Sequence, residues 1–147
     1  MNQVLEVNTK ELQDKLMPCD NRRMLVADDD KQIREMFQLV LSCDLPEYRL
    51  DLAVNGAEVI EIFRSAHPGI IVIDVRMPVI DGEEAFCDIR GICEAENLVM
   101  PSFVFCTGFD PPHGLQNVVA ENPSHCILRK PIDPSTLVDA LKVRLSH

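Results

Sequence analysis

Four β-branched apolar residues, Ile70-Ile71-Val72-Ile73, run without a break into a single acid, Asp74. Pro68-Gly69 precedes the run and Met77-Pro78 follows it, with Asp81-Gly82 just beyond. A short, continuous, β-branched run between turn residues is the pattern of a strand covered on both faces, as in a parallel sheet. Asp74 then stands at the carboxyl end of a central strand, the edge where open α/β sheets bind ligands. A charge placed there needs a partner, a metal or a reaction, because burying it alone is costly.

The rest of the chain fits that sheet. Met24–Ala27 is an apolar run ending in Asp28-Asp29-Asp30 and reads as the first strand. From Lys31 to Cys43, apolar residues at 33, 36, 37, 40 and 41 form the stripe of a helix packed on a sheet, with Asp30 as its N-cap. Tyr48–Val54 alternates as a strand, Asn55-Gly56 turns, and Ala57–Ala66 is a second amphipathic helix. After Asp74, a helix opens at Asp81-Gly82 and runs to about Cys93. Pro101–Thr107 is a fourth strand, His113–Glu121 a short helix, His125–Arg129 a fifth strand, and Asp133-Pro134 the cap of a closing helix. Five strands alternating with five helices predict an α/β, doubly wound, three-layer fold with a parallel sheet and right-handed crossovers. Residues 1–22 read as an N-terminal extension with a weak helical pattern over Lys10–Met17, and residues 23–147 as the domain. Phe103 and Phe105 read as the two faces of a strand. His67, His113, His125 and His147 are assigned to loops or the terminus, outside any ligand role.

Composition narrows the function. The chain has 147 residues, about one domain. No apolar run approaches the roughly 20 residues of a membrane span, and the opening Met1-Asn2-Gln3-Val4-Leu5 lacks the regions of a secretory signal. No membrane partner and a cytoplasmic location are therefore expected. A formal net charge of −10 repels phosphate backbones, which argues against nucleic acid as a partner of this chain alone. The cysteines at 19, 43, 87, 93, 106 and 126 form no C-x-x-C pair and no zinc spacing, so six reduced thiols are expected.

Each strand's first following polar residue falls on the same rim: Asp28 and Asp29 after the first, Asp74 after the third, Thr107 at the end of the fourth, Lys130 after the fifth. Convergent carboxylates repel one another. A hard divalent cation such as Mg²⁺ resolves the repulsion and typically takes one or two carboxylates plus waters and phosphate oxygens. A lysine and a hydroxyl opposite suit a phosphoryl group. Carboxylates serve as nucleophiles toward phosphorus, so this pattern points to an aspartyl phosphate on Asp74.

The segments Val26-Ala27-Asp28-Asp29-Asp30, Asp74-Val75-Arg76-Met77-Pro78 with Asp81-Gly82, Thr107-Gly108 and Lys130-Pro131 occur in order at strand ends. With them the chain, over about residues 23–146, resembles the CheY-like receiver domains of two-component response regulators. The resemblance implies a flavodoxin-like (βα)5 fold with strand order 2-1-3-4-5. It implies Asp74 as phosphoacceptor, and Mg²⁺ held directly by Asp29, Asp74 and the backbone carbonyl of Arg76. Asp28 would complete the acidic pocket largely through water. Thr107 and Lys130 would contact the phosphoryl group, and the Lys130–Pro131 bond would be cis. The implied partners are a sensor histidine kinase or histidine phosphotransfer protein and a downstream protein target of unknown identity. The implied role is a signalling module that promotes its own phosphorylation and dephosphorylation, not a metabolic enzyme. In this family the side chains two residues after the acceptor and two after the threonine, here Arg76 and Phe109, flank the line of water attack. The family's usual aromatic three residues before the lysine is Ile127 here, so output is expected through Thr107 and the Gly108–Pro112 loop instead.

Three other classes are weaker. A phosphatase of the haloacid dehalogenase type wants an acid two residues after the nucleophile, where Arg76 stands. A flavodoxin-like cofactor binder needs a Ser/Thr/Gly-rich loop after the first strand, where three aspartates stand. A degenerate scaffold would not keep the complete acceptor set. A stand-alone receiver is expected, with a fragment of a larger regulator or hybrid sensor kinase as the alternative.

Overall fold

The computed structural model describes residues 18–145, so the helical pattern expected over Lys10–Met17 lies outside the described residues. The elements in order are β1 (Asp20–Ala27), α1 (Lys31–Asp44), β2 (Arg49–Ala53), α2 (Gly56–Ala66), β3 (Pro68–Asp74), α3 (Gly82–Glu96), β4 (Ser102–Thr107), α4 (His113–Glu121), β5 (Cys126–Arg129) and α5 (Pro134–Leu145). The strands form one sheet of order β2-β1-β3-β4-β5, parallel at every pairing. The doubly wound flavodoxin-like fold is the one expected.

Alternation along the strands divides the core. Leu25, Ala27, Ile71, Ile73, Phe103 and Phe105 face α2, α3 and α4, and Met24, Val26, Ile70, Val72, Val104 and Cys106 face α1 and α5. Fully burying an aliphatic or aromatic side chain contributes about 1.5–3 kcal/mol, so both faces hold the sheet in place. Phe103 and Phe105 do not lie on two faces. They are two residues apart and so share one, stacked with centroids 5.4 Å apart.

β1 begins at Asp20, ahead of the apolar run. Asp20 pairs with Pro68 and donates its N–H to the His67 carbonyl at 2.7 Å, and the register then shifts before Met24 meets Ile70. Main-chain bonds, not apolar side chains, hold this exposed start, so periodicity could not show it.

The caps lie where side chains can reach freed N–H groups. Asp30 accepts from Gln32, Asn55 from Glu58 and Asp81 from Glu84, at 2.8–2.9 Å. Asp133 accepts from the Thr136 N–H at 3.2 Å. These caps fix the first turns of α1, α2, α3 and α5 and the loops they leave, whereas α4 begins at Pro112 with no side-chain cap. All six cysteines are free thiols. No helix among the described residues is long and apolar enough to cross a membrane.

Candidate functional site

β1 and β3 are neighbours, so Asp28, one residue past β1, and Asp74, the last residue of β3, meet at the carboxyl rim where the strand order reverses. Asp28 and Asp74 are buried and Asp29 is exposed. Carboxylate oxygens of the three lie within 4.8 Å of one another. Lys130 reaches in from the end of β5: its Nζ is 2.9 Å from Asp28 Oδ2 and 3.3 Å from Asp74 Oδ2. The Lys130–Pro131 bond is cis, and the Lys130 N–H donates to the Thr107 carbonyl at 2.8 Å.

Electrostatics follow from this packing. Burial raises the Asp74 carboxyl above the usual range, and Asp28 adds to the rise, while Lys130 and the Arg76 N–H oppose it. Burial alone would lower Lys130, but its hydrogen bond to Asp28 and the charges of Asp28 and Asp74 leave it raised and firmly protonated. The site thus sets three acids against one ammonium, with negative charge in excess. A group of three carboxylates this close could hold a hard divalent cation such as Mg²⁺.

Backbone bonds set the acids' aim. Asp28 Oδ1 accepts from the Asp30 N–H at 2.9 Å, and Arg34 donates to the Asp28 carbonyl at 2.8 Å. Asp74 Oδ1 accepts from the Arg76 N–H at 3.2 Å. Val75 donates to the Cys106 carbonyl, and Gly82 donates back to Val75. A Cβ at Gly82 would stand 2.6 Å from the Asp74 carbonyl oxygen, so only glycine lets α3 start this close to β3. A Cβ at Gly56 would likewise meet the Ile80 carbonyl at 2.3 Å. Between them Val79 has φ 70°, and Ile80 donates to the Pro78 carbonyl at 2.9 Å. A β-branched residue in this tight turn is strained, by about 1–3 kcal/mol.

The structure therefore brings Asp28, Asp29, Asp74 and Lys130 into one cluster. Thr107 is buried on the rim, but its hydroxyl is hydrogen-bonded to the main chain of Phe109, 3.1 Å from both its N and its O. Arg76 follows Asp74 by two residues, and its guanidinium lies over the Phe109 ring, 4.0 Å from the centroid. Ile127 is half-buried, pairs with Phe105 across the sheet and packs on the α2–α4 side of the core. Sequence reasoning missed Arg34, which a helix stripe treats as a solvent-facing residue, and the Arg76–Phe109 contact, which joins two loops.

A profile described as the response regulator receiver domain matches residues 24–142. The chain belongs to the response regulator receiver domain family. A curated relative, Response regulator MprA of Mycobacterium tuberculosis, is 39% identical over 69 residues, 47% of this chain and 29% of the relative. The protein-glutamate methylesterase/protein-glutamine glutaminase of Aliivibrio fischeri is 34% identical over 80 residues, 54% of this chain and 21% of the relative. Each match covers less than a third of the relative's length. Among solved structures, the response regulator receiver domain protein (CheY-like) of Methanospirillum hungatei superposes with a TM-score of 0.70 at 19% identity. It covers 85% of this chain and 94% of that one. At that identity the likeness supports the fold.

Proposed function

We propose that this receiver domain accepts a phosphoryl group onto Asp74 from the phosphohistidine of a partner sensor kinase or phosphotransfer protein. The carrying observation is the position of Asp74, held between the acids Asp28 and Asp29 and the Lys130 ammonium at 3.3 Å. An Asp74 carboxylate oxygen attacks phosphorus in line, the P–N bond breaks as the O–P bond forms, and the imidazole leaves with the electron pair. Lys130, already protonated, pairs with a phosphoryl oxygen, and Thr107 turns from Phe109 to donate to another. Bound Mg²⁺ would neutralise the acids and the phosphoryl oxygens. Asp28, Asp29, Asp74 and the Arg76 carbonyl would hold it. When the Thr107 hydroxyl leaves the Phe109 main chain, the Gly108–Pro112 loop is freed to move, and that movement is the signal.

The test is intact mass after treatment with a small phosphodonor and Mg²⁺. Wild type gains one acid-stable, base-labile adduct, and amide protection changes between Gly108 and Glu121. Asp74→Asn gains none. An adduct of equal yield on the variant would exclude Asp74 as acceptor, and unchanged protection would exclude this route for the signal.

A further inference from the structure

At the opposite pole of the sheet, before β4 and β5, a cavity of about 420 Å³ opens between α3 and α4. This lies within the roughly 300–1,000 Å³ of small-molecule sites. Phe86 and His125 line it together with apolar Cys93, Leu98, Met100 and Val118. His125 is 3% exposed. Its Nδ1 accepts the Phe103 N–H at 2.9 Å. A neutral imidazole that accepts at Nδ1 carries its proton on Nε2. Burial among aromatic rings pushes His125 down to about 4, so it is neutral at physiological pH. No acceptor for the Nε2 proton is found among the described residues. The Phe86 ring, edge-on at 5.3 Å, is at most a weak acceptor. Among the described residues the buried side-chain atoms without a partner are Arg23 Nε and Asp51 Oδ2, so the His125 Nε2–H is not sealed off: it is open to water or a ligand from the cavity that His125 lines.

We propose that this cavity is a binding site for a neutral, largely apolar ring compound that presents one carbonyl oxygen to His125. The donor at depth selects an acceptor. A cation would set donor against donor and leave the N–H unpaired. An anion is disfavoured because Glu94 and Glu121 at the mouth outnumber Arg90, whose guanidinium is laid over Phe86 at 5.2 Å. A neutral carbonyl satisfies the imidazole, Phe86, Leu98, Met100 and Val118 take the ring, and the polar Asn97 and Asn122 complete the lining. The site shares no residue with the aspartate cluster.

The experiment is amide and imidazole correlation spectroscopy of the full chain titrated with 2-quinolone, oxindole and phthalimide at millimolar concentration. Indane, a fused ring without the oxygen, and 1-indanecarboxylate are the controls. At least one carbonyl compound shifts the Cys93, Leu98, Met100 and Val118 amides saturably and moves the His125 Nε2–H resonance downfield. Indane and the carboxylate bind about tenfold more weakly or not at all. Val118→Trp fills the cavity from α4 with His125 untouched and abolishes the shifts, while the Asp74 adduct still forms. Absence of a saturable shift with all three compounds in wild type overturns the site. So do shifts that persist in Val118→Trp. Equal affinity for indane overturns the role of His125. The wild-type titration is decisive even where a variant folds poorly.

Discussion

At the carboxyl end of the sheet, the Lys130 ammonium stands within hydrogen-bonding reach of both Asp28 and Asp74. At the amino end, His125 is one titratable ring whose bonded partner is a main-chain N–H, walled by Phe86 and Phe103. Both ends bury polar groups. The first depends on charge balance and is short of positive charge; the second depends on having no charge at all. Perturbing charge should therefore move the two ends in different ways.

The largest effect is expected from Lys130→Met, which leaves Asp28 and Asp74 facing each other without a cation. Breaking a buried ion pair from one side costs about 3 kcal/mol or more. Chemical denaturation without Mg²⁺ should show a loss of that size, partly recovered on adding Mg²⁺. An unchanged midpoint would mean that the lysine does not balance the rim.

At the amino end the probe is acid. His125 titrates near its ordinary value when unfolded and at about 4 when folded. Between those values the unfolded chain binds more protons, so stability falls as pH drops through about 6.5 toward 4. At about 1.4 kcal/mol per pH unit, the full loss is about 3 kcal/mol. Comparing the pH slope of wild type with His125→Phe isolates it, because rim titrations are common to both. Parallel slopes would place the imidazole in contact with water.

Asp74→Asn sharpens the contrast with a change of sign. Burial raises the Asp74 pKa in the fold, so its ionised form costs stability, and that cost grows as pH rises through the raised value. Without metal at neutral pH the variant should be more stable, by about 1–2 kcal/mol. The gain should shrink as pH falls below the raised value and vanish only below the ordinary aspartate range, where Asp74 is protonated in both states and resembles asparagine. Mg²⁺ should stabilise wild type more than the variant, because only wild type offers all three acids. A variant less stable than wild type in chelator at pH 7 would contradict the rim's excess of negative charge.

The two ends also differed in legibility. Asp28, Asp29, Asp74 and Lys130 could be read because each ends an apolar run, and alternating elements send run ends to one rim. Gly56 and Gly82 read as turn and cap residues; that they clear the carbonyls of Ile80 and Asp74 depends on tertiary contact. His125 did not read as special. It adjoins a strand whose apolar run hides it, and its meaning comes from Phe103, 22 residues away, and from helices that wall the cavity. The exposed start of β1 has no apolar pattern at all. Sequence periodicity reports what an element buries against a sheet, not which loops touch at its rim.

The smallest effect concerns such a contact between loops. The Arg76 guanidinium, 4.0 Å above the half-exposed Phe109 ring, links the loop after β3 to the loop after β4 beside Asp74. A stacked pair of this kind is worth about 0.5–1 kcal/mol at an exposed site. Hydrolysis of an aspartyl phosphate needs water in line with the leaving carboxylate oxygen. Phe109 offers no hydrogen bond to orient that water, and an Arg76 side chain that turned from the ring to phosphoryl oxygens would stabilise the ground state. Once phosphorylated, the protein should thus lose phosphate slowly, and Phe109→Glu or Arg76→Asn should speed the loss about fivefold, equivalent to about 1 kcal/mol in barrier. Because the two side chains act as one stacked unit, their effects should not add: the double variant should be little faster than the faster single. Dephosphorylation of isolated phosphoprotein, followed by intact mass, measures all four. If the double variant shows the product of the single effects, the side chains act separately; if no variant is faster than wild type, the pair does not guard the site.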